Sequence, residues 1–192
     1  MVKWEQNIQI TAYTEETDMA DFNKVLSPWA EDGVVNTVVE ISEGSRLKVE
    51  WDRKHATFKL DRVEPKIFAK PVNYGFIPAT LDEDGDELDT LIVSPEPLPM
   101  GLYLEARVIG VLKFEDDGEV DDKIVVVPAD DRDSGNAIAS LEDLPKRWKE
   151  QIEHHFTHYK DLKKPGSTKV LGWGDAEEAA RIVNESIERY KG

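Results

Sequence analysis

Val34-Val35-Asn36-Thr37-Val38-Val39-Glu40-Ile41, Leu47-Lys48-Val49-Glu50-Trp51 and Ala56-Thr57-Phe58-Lys59-Leu60 are three short runs rich in β-branched and aromatic residues. Runs of this length and make-up predict strands. In the second run Leu47, Val49 and Trp51 point to one face while Lys48 and Glu50 share the other, because side chains alternate along a strand. Further strands are expected at 90–94, 103–112 and 123–127, with Gly- and Asp-rich loops at 82–87 and 116–122. This is the pattern of a small β-barrel or meander. Then the period changes. Trp148, Ile152, Phe156 and Tyr159 recur at spacings of four, four and three, which predicts a helix that Pro145 can open. A second helix is expected from Asp175, where Asp175 and Glu178 can form a capping box and Ala176, Ala179, Ala180, Val183, Ile187 and Tyr190 trace one stripe. Strands first and helices last place the chain in the α+β class.

A chain of 192 residues without internal repeats or a Gly/Ser/Pro-rich linker suits one domain with its own core. Residues 1–32 are polar and mixed, closed by Ser27-Pro28 and Asp32-Gly33, and are expected to form an arm ahead of a single domain at 33–192. There is no cysteine, which excludes disulfides, zinc-thiolate sites and thiol nucleophiles and is compatible with a reducing cytoplasm. Met1 to Ala20 lacks the apolar core of a signal peptide, and no run approaches the roughly 18 apolar residues of a membrane span. A cytoplasmic location with no membrane partner is the expectation. The formal net charge of −16 argues against nucleic acid, whose phosphates are held by Lys and Arg. It admits an anionic ligand only if divalent cations stand between carboxylates and phosphate.

Such cations have an evident place to bind. Asp82-Glu83-Asp84-Gly85-Asp86-Glu87-Leu88-Asp89 packs six acidic side chains into eight residues, a cluster that repels itself unless something cationic neutralises it. Hard cations favour carboxylate oxygens, and Gly85 lets the backbone turn so that Asp84 and Asp86 can face one point. An EF-hand fails on spacing, because the positions that should hold its glycine and its final glutamate are Glu87 and Val93. A second acidic stretch, Glu115-Asp116-Asp117-Gly118-Glu119-Val120-Asp121-Asp122, ends in Lys123 at the start of a strand. Two such loops at neighbouring strand ends suit phosphoryl transfer, in which metals polarise phosphate oxygens and lower the pKa of a water. Lys48, Arg62, Lys123 and Lys160 are the candidate phosphate-gripping cations. On these residues alone, a hydrolase of another phosphoanhydride and a non-enzymatic Ca²⁺-binding module remain open alternatives.

From about Val38 to the C-terminus the chain resembles the family I (soluble) inorganic pyrophosphatases of the bacterial type. Asp84-Gly85-Asp86-Glu87-Leu88-Asp89 matches that family's D-x-D-x-x-D signature. It is accompanied, in order, by Glu40 with Gly44 to Glu50, by Asp61-Arg62, by Pro71-Val72-Asn73-Tyr74-Gly75-Phe76-Ile77-Pro78, by Asp121-Asp122-Lys123 and by His158-Tyr159-Lys160-Asp161-Leu162. The resemblance implies a small closed five-stranded OB-like barrel with flanking strands and two C-terminal helices, splitting pyrophosphate into two phosphates. It implies that Asp84, Asp89 and Asp121 hold the tightest Mg²⁺, that Asp116 and Asp121 bind further ions, and that Asp86 is the base for the nucleophilic water. Lys48 and Tyr74 would face the attacked phosphate. Arg62, Tyr159 and Lys160 would steady the leaving one, and Glu40, Glu50 and Lys123 would support the site. Mn²⁺ or Zn²⁺ are implied as substitutes and Ca²⁺ as an inhibitor. His154 and His158 would lie near a subunit contact of a homohexamer, although with His155 they have the spacing of a helical metal site. Three positions depart from the family: Lys70 stands where a tyrosine is usual, exchanging a hydroxyl for a cation; Ser42 stands for a proline; and Thr90 stands for an apolar residue. The arm is also about 20 residues longer than the bacterial form requires.

Overall fold

The computed structural model describes residues 21–192. Residues 1–20 of the expected arm therefore lie outside the described part. From Asp21 onward the chain runs α1 (Phe22–Val25), β1 (Trp29–Glu31), β2 (Val34–Ile41), β3 (Leu47–Asp52), β4 (Thr57–Val63), β5 (Asn73–Phe76), β6 (Asp89–Ile92), β7 (Tyr103–Asp116), β8 (Glu119–Val120), β9 (Lys123–Pro128), α2 (Lys146–His158), β10 (Thr168–Gly174) and α3 (Ala176–Lys191).

Five of these strands close on themselves. β2 pairs with β5, β5 with β6, β6 with β9, β9 with β7, and β7 returns to β2, so that the sheet forms a ring of the OB-like kind expected. All the ring pairings are antiparallel except β6 with β9. β7 makes closure possible: its first residues pair with β2, its middle with β9 and its end with β10, and the register shifts between Val108 and Gly110, a bulge that bends the strand. Gly75 lets β5 come in tightly, since a Cβ there would stand 2.0 Å from the Val38 carbonyl oxygen.

Successive residues of the central strands feed two different cores, as the two-residue period requires. Val125 and Val127 of β9 pack with Leu91, Leu112, Phe114 and the α2 residues Ile152 and Phe156. Ile124 and Val126 pack with Ile92, Val111 and the α3 residues Ala179, Ile182 and Val183. Being covered on both sides is why β2 is buried at every residue instead of alternating. A third cluster sets Phe22 of α1 against Trp51, Phe58 and Phe76, so the chain from Asp21 is packed onto the domain.

The helices begin where expected. Pro145 is the residue before α2, and the Asp175 carboxylate accepts the Glu178 N–H at 2.9 Å at the start of α3. The face of α3 that is buried differs from the expected stripe: Ala179, Ile182, Val183 and Ser186 are inside, while Tyr190 is exposed. β1, β5, β8 and β10 are strands that the sequence pattern does not predict: β1 and β8 are only three and two residues long, β8 within the expected 116–122 loop, while an asparagine, a glycine and prolines in 71–78 and two glycines in 168–174 read as turns until neighbouring strands supply ladder partners. The two substituted polar positions are also satisfied. The Thr90 hydroxyl lies 2.7 Å from that of Thr37 in the core, and Ser42 donates to the Leu98 carbonyl at 2.6 Å.

Candidate active site

One cavity of about 360 Å³ opens where the hairpin β3–β4, β5, the start of β6, the end of β7, the start of β9 and the end of α2 meet. Glu40, Lys48, Glu50, Arg62, Tyr74, Asp84, Asp86, Asp89, Asp116, Asp121, Lys123, Tyr159 and Lys160, every site residue expected from the sequence, line it. Nine carboxylates face six Lys and Arg side chains there, so the wall is mixed in sign with a negative excess.

Register explains several of these positions. Lys48 lies directly across the β3–β4 hairpin from Arg62, which places both cations on one face. Lys48 Nζ stands 3.4 Å from Glu50, and Arg62 is held by Asp61 and Glu64, each at 2.5 Å. The buried Glu40 of β2 accepts the Trp51 N–H at 2.6 Å, tying the hairpin to the ring. Its burial, only partly offset by Lys48, pushes its carboxyl up to about 8.

At the centre, the nearly inaccessible Lys123 ammonium donates to both Asp89 and Asp121, and the Tyr74 hydroxyl also donates to Asp89. Burial alone would raise the Asp89 carboxyl, but Lys123 and Lys48 outweigh it and hold Asp89 below its ordinary value. For Asp121 burial wins over Lys123, and its carboxyl is raised. Burial lowers Lys123, yet Asp89 and Asp121 more than reverse this and keep it charged. On the far wall Asp116 accepts from Tyr159 at 2.8 Å and from Lys160 at 2.5 Å. Burial, then the Asp116 charge, raises the Tyr159 phenol, so it stays a donor.

The first acidic turn is organised differently. Gly85 takes φ +95°, a left-handed conformation that glycine adopts without strain, and the Asp86 N–H donates to Asp84 at 3.0 Å. Neither Asp84 nor Asp86 has an ion-pair partner among the described residues. Burial first, then Asp84 and Glu87, raises the Asp86 carboxyl, the direction that suits a proton acceptor working near neutrality.

The donor set is carboxylate oxygen with no sulfur and no imidazole, which fits hard divalent cations. Among the described residues no three acidic or imidazole groups enclose an ion-sized point; the Lys123 ammonium bridges Asp89 and Asp121, and that of Lys160 sits on Asp116. The three histidines form no such group either. The rings of His154 and His158 lie 4.7 Å apart, tilted at 54°, on the outer face of α2, His158 pairs with Asp161, and His155 is turned inward.

Residues that motif reading did not single out hold the first turn in place. Glu87 is buried and accepts from Asn23 at 2.6 Å and from Arg53 at 2.7 Å, while the Asn23 carbonyl accepts the Ala79 N–H at 2.7 Å. Asp82 is held at 3.0 Å by Arg189 of α3. No local pattern announces these clamps, whose partners lie 64, 34 and 107 residues apart. Lys70 also reaches the cavity, its ammonium 4.6, 5.4 and 5.5 Å from the ring centres of Tyr74, Phe156 and Tyr159. Burial, with Lys48 and Lys123 nearby, pushes it down to about 7.

Comparison with known proteins bears on this geometry. A family model described as inorganic pyrophosphatase matches residues 37–191. The inorganic pyrophosphatase of Neisseria meningitidis serogroup B is 66% identical over 173 residues, 90% of this chain and 98% of that protein. Among solved structures, the inorganic pyrophosphatase from Neisseria gonorrhoeae superposes with a TM-score of 0.88 at 64% identity, covering 90% of this chain and all of that one. The one from Thermus thermophilus gives 0.82 at 40% identity, again covering 90% of this chain and all of that one.

Proposed function

The chain belongs to the inorganic pyrophosphatase family and hydrolyses inorganic pyrophosphate, and from that premise we propose how its cavity performs the reaction and with which metal. The family is metal-dependent; we assign Mg²⁺, several ions per site, to Asp84, Asp89, Asp116 and Asp121. Bound divalent ions shield the charge of the diphosphate and make a water more acidic. The chain's own residues supply the rest. Asp86 accepts the proton of the attacking water as its oxygen joins one phosphorus and the bridging P–O bond breaks. Lys48 and Tyr74 hold the attacked phosphate. Arg62, Tyr159 and Lys160 take up the negative charge that grows on the departing phosphate, where preformed donors in a half-buried cavity act most strongly. Glu40, Glu50 and Lys123 keep this set in position, Lys123 also facing substrate.

The observation that carries the reading is the convergence of both acidic turns and of cations from three separate elements on one cavity. Phosphate release from pyrophosphate with and without Mg²⁺ is the test. Release that is absent without the ion, present with it, and far weaker on nucleoside triphosphates or polyphosphate is expected. Mn²⁺ or Zn²⁺ are expected to substitute in part and Ca²⁺ to inhibit, because a larger ion with looser coordination misplaces the nucleophile. Equal rates with Ca²⁺ and Mg²⁺ would refute the metal assignment.

The same proposal includes a homo-oligomer, a hexamer by family resemblance, in a reducing cytoplasm. It is supported by the exposed apolar Ile67 and Leu162, 74% and 69% accessible, beside His154 and His158, and by the lack of cysteine. No helix among the described residues is long and apolar enough to cross a membrane. We further divide the chain into an N-terminal arm, residues 1–32, and the pyrophosphatase domain, residues 33–192.

A further inference from the structure

Lys70 differs from every other cation of the cavity in its partners. Lys48, Arg62, Lys123 and Lys160 each have a carboxylate of the chain within ion-pair distance. Lys163 has none among the described residues but is exposed, so water satisfies it. Lys70 has neither a carboxylate nor a hydrogen-bond acceptor for its ammonium among the described residues, and it stands beside three aromatic rings at the cavity wall. Ring faces attract a cation but accept none of its three N–H bonds in the way an oxygen does. Its main chain is not free to relax the problem, since the Lys70 N–H donates to Ser45 at 3.0 Å and its carbonyl accepts from Gly44 at 2.9 Å. A half-buried ammonium beside two other ammoniums, those of Lys48 and Lys123, is unfavourable in the protein alone. An anion in the cavity removes two costs together: the missing protein acceptor and the like-charge repulsion.

We propose that Lys70 is a further substrate-binding residue, its ammonium held between Tyr74, Phe156 and Tyr159 so as to take a phosphate oxygen of the diphosphate. The three rings fix its direction. Tyr74 and Tyr159 stand on the two sides assigned to the two phosphates, so Lys70 lies between those sides and grips the diphosphate as a unit. This rests on the assignment of the cavity to pyrophosphate.

The Mg²⁺-loaded full-length protein tests it. Binding of methylenediphosphonate, which cannot be hydrolysed, is measured by calorimetry for the wild type, Lys70→Met and Lys70→Tyr, alongside the KM for pyrophosphate. Met keeps the stem that packs on the rings, and Tyr restores a hydroxyl; both remove the charge. Binding weakened about tenfold or more in Lys70→Met, with a matching rise in KM and a smaller loss in Lys70→Tyr, is the expected result, because a hydrogen bond to a charged group is lost in the first and only its charge in the second. Mg²⁺ affinity without phosphate should be unchanged or slightly tighter, since a nearby cation has gone. A residue that only packs would lower the melting temperature and leave diphosphonate affinity untouched. If the wild type turns over pyrophosphate and folded Lys70→Met, which has no donor, binds the diphosphonate as tightly as it does, Lys70 is not a ligand and the reading of the cavity stands. If the wild type neither turns over pyrophosphate nor binds the diphosphonate, both readings fall.

Discussion

The two acidic turns, 82–89 and 115–122, have nearly the same composition and opposite electrostatics. In the second, each aspartate has a cation: Asp116 takes Lys160, Asp117 takes Lys164, Asp121 takes Lys123 and Asp122 takes Lys113. In the first, the fold pairs Asp82 with Arg189, Glu87 with Arg53 and Asp89 with Lys123, and leaves Asp84 and Asp86 facing the cavity without a cation. A cluster of like charge is therefore divided by its surroundings into paired and unpaired carboxylates. Asp82 and Glu87 tie the turn to α3 and to the β3–β4 hairpin, Asp84 and Asp86 keep an unpaired charge at the cavity, and Asp89, Asp116 and Asp121 face it already paired with an ammonium.

Asp86→Asn breaks this contrast most directly. It removes a proton acceptor while keeping the shape, so kcat should fall by about 10² to 10⁴, the usual share of general-base catalysis, with Mg²⁺ binding by calorimetry largely retained. Undiminished phosphate release would remove Asp86 from the reaction. Next in size, Asn23→Ala undoes an anchor, leaving the Ala79 N–H and one lone pair of Glu87 without partners. A loss of about 1–3 kcal/mol in unfolding free energy is expected, with a higher Mg²⁺ concentration for half-maximal rate. Wild-type values for both would show that the clamp does not position the turn.

Acid would discharge both turns, so a group outside them sets the baseline. Burial, with Lys70 and His154 adding to it, pushes His155 down from 6.5 to about 3, and its Nε2 is buried without a partner. Between those values the unfolded chain binds a proton that the folded one refuses. The contribution of His155 to stability is thus intact above pH 6.5 and declines below it, by up to about 1.4 kcal/mol per pH unit. Melting curves at pH 7.5 and 5.5 without metal should therefore show a smaller acid loss for His155→Gln than for wild type. Equal losses would assign the acid sensitivity to the carboxylates. The smallest effect is expected for Tyr159→Phe, which deletes one hydroxyl bonded to the neutralised Asp116. A fall in kcat/KM of up to about tenfold, from about 0.5–1.5 kcal/mol, is expected; a larger fall would mean that the second turn works harder than its charge balance suggests.

Much of the site was readable along the chain because its chemistry is written in local pairs and triplets. Asp84 to Asp89, Asp121 to Lys123 and Tyr159-Lys160 each sit within a few residues, and all of them line the cavity. The strands that alternate or consist of β-branched residues were readable for the same reason. β5 and β10 were not, since their glycines, and the asparagine and flanking prolines of β5, acquire strand geometry only from β2, β6 and β7 beside them.

Composition, periodicity and motif order by themselves determined the class of the fold, four of the five ring strands, both long helices and a set of candidate side chains that the structure gathers at one cavity, because those properties depend on residue type and short spacing. Tertiary structure alone decided which carboxylates are neutralised, that Asn23 and Arg53 hold Glu87, and that Lys70 stands among three rings without a counter-ion. Those facts depend on the closure of the barrel, which sets side by side groups that are dozens of residues apart, and on burial, which makes each such meeting count electrostatically.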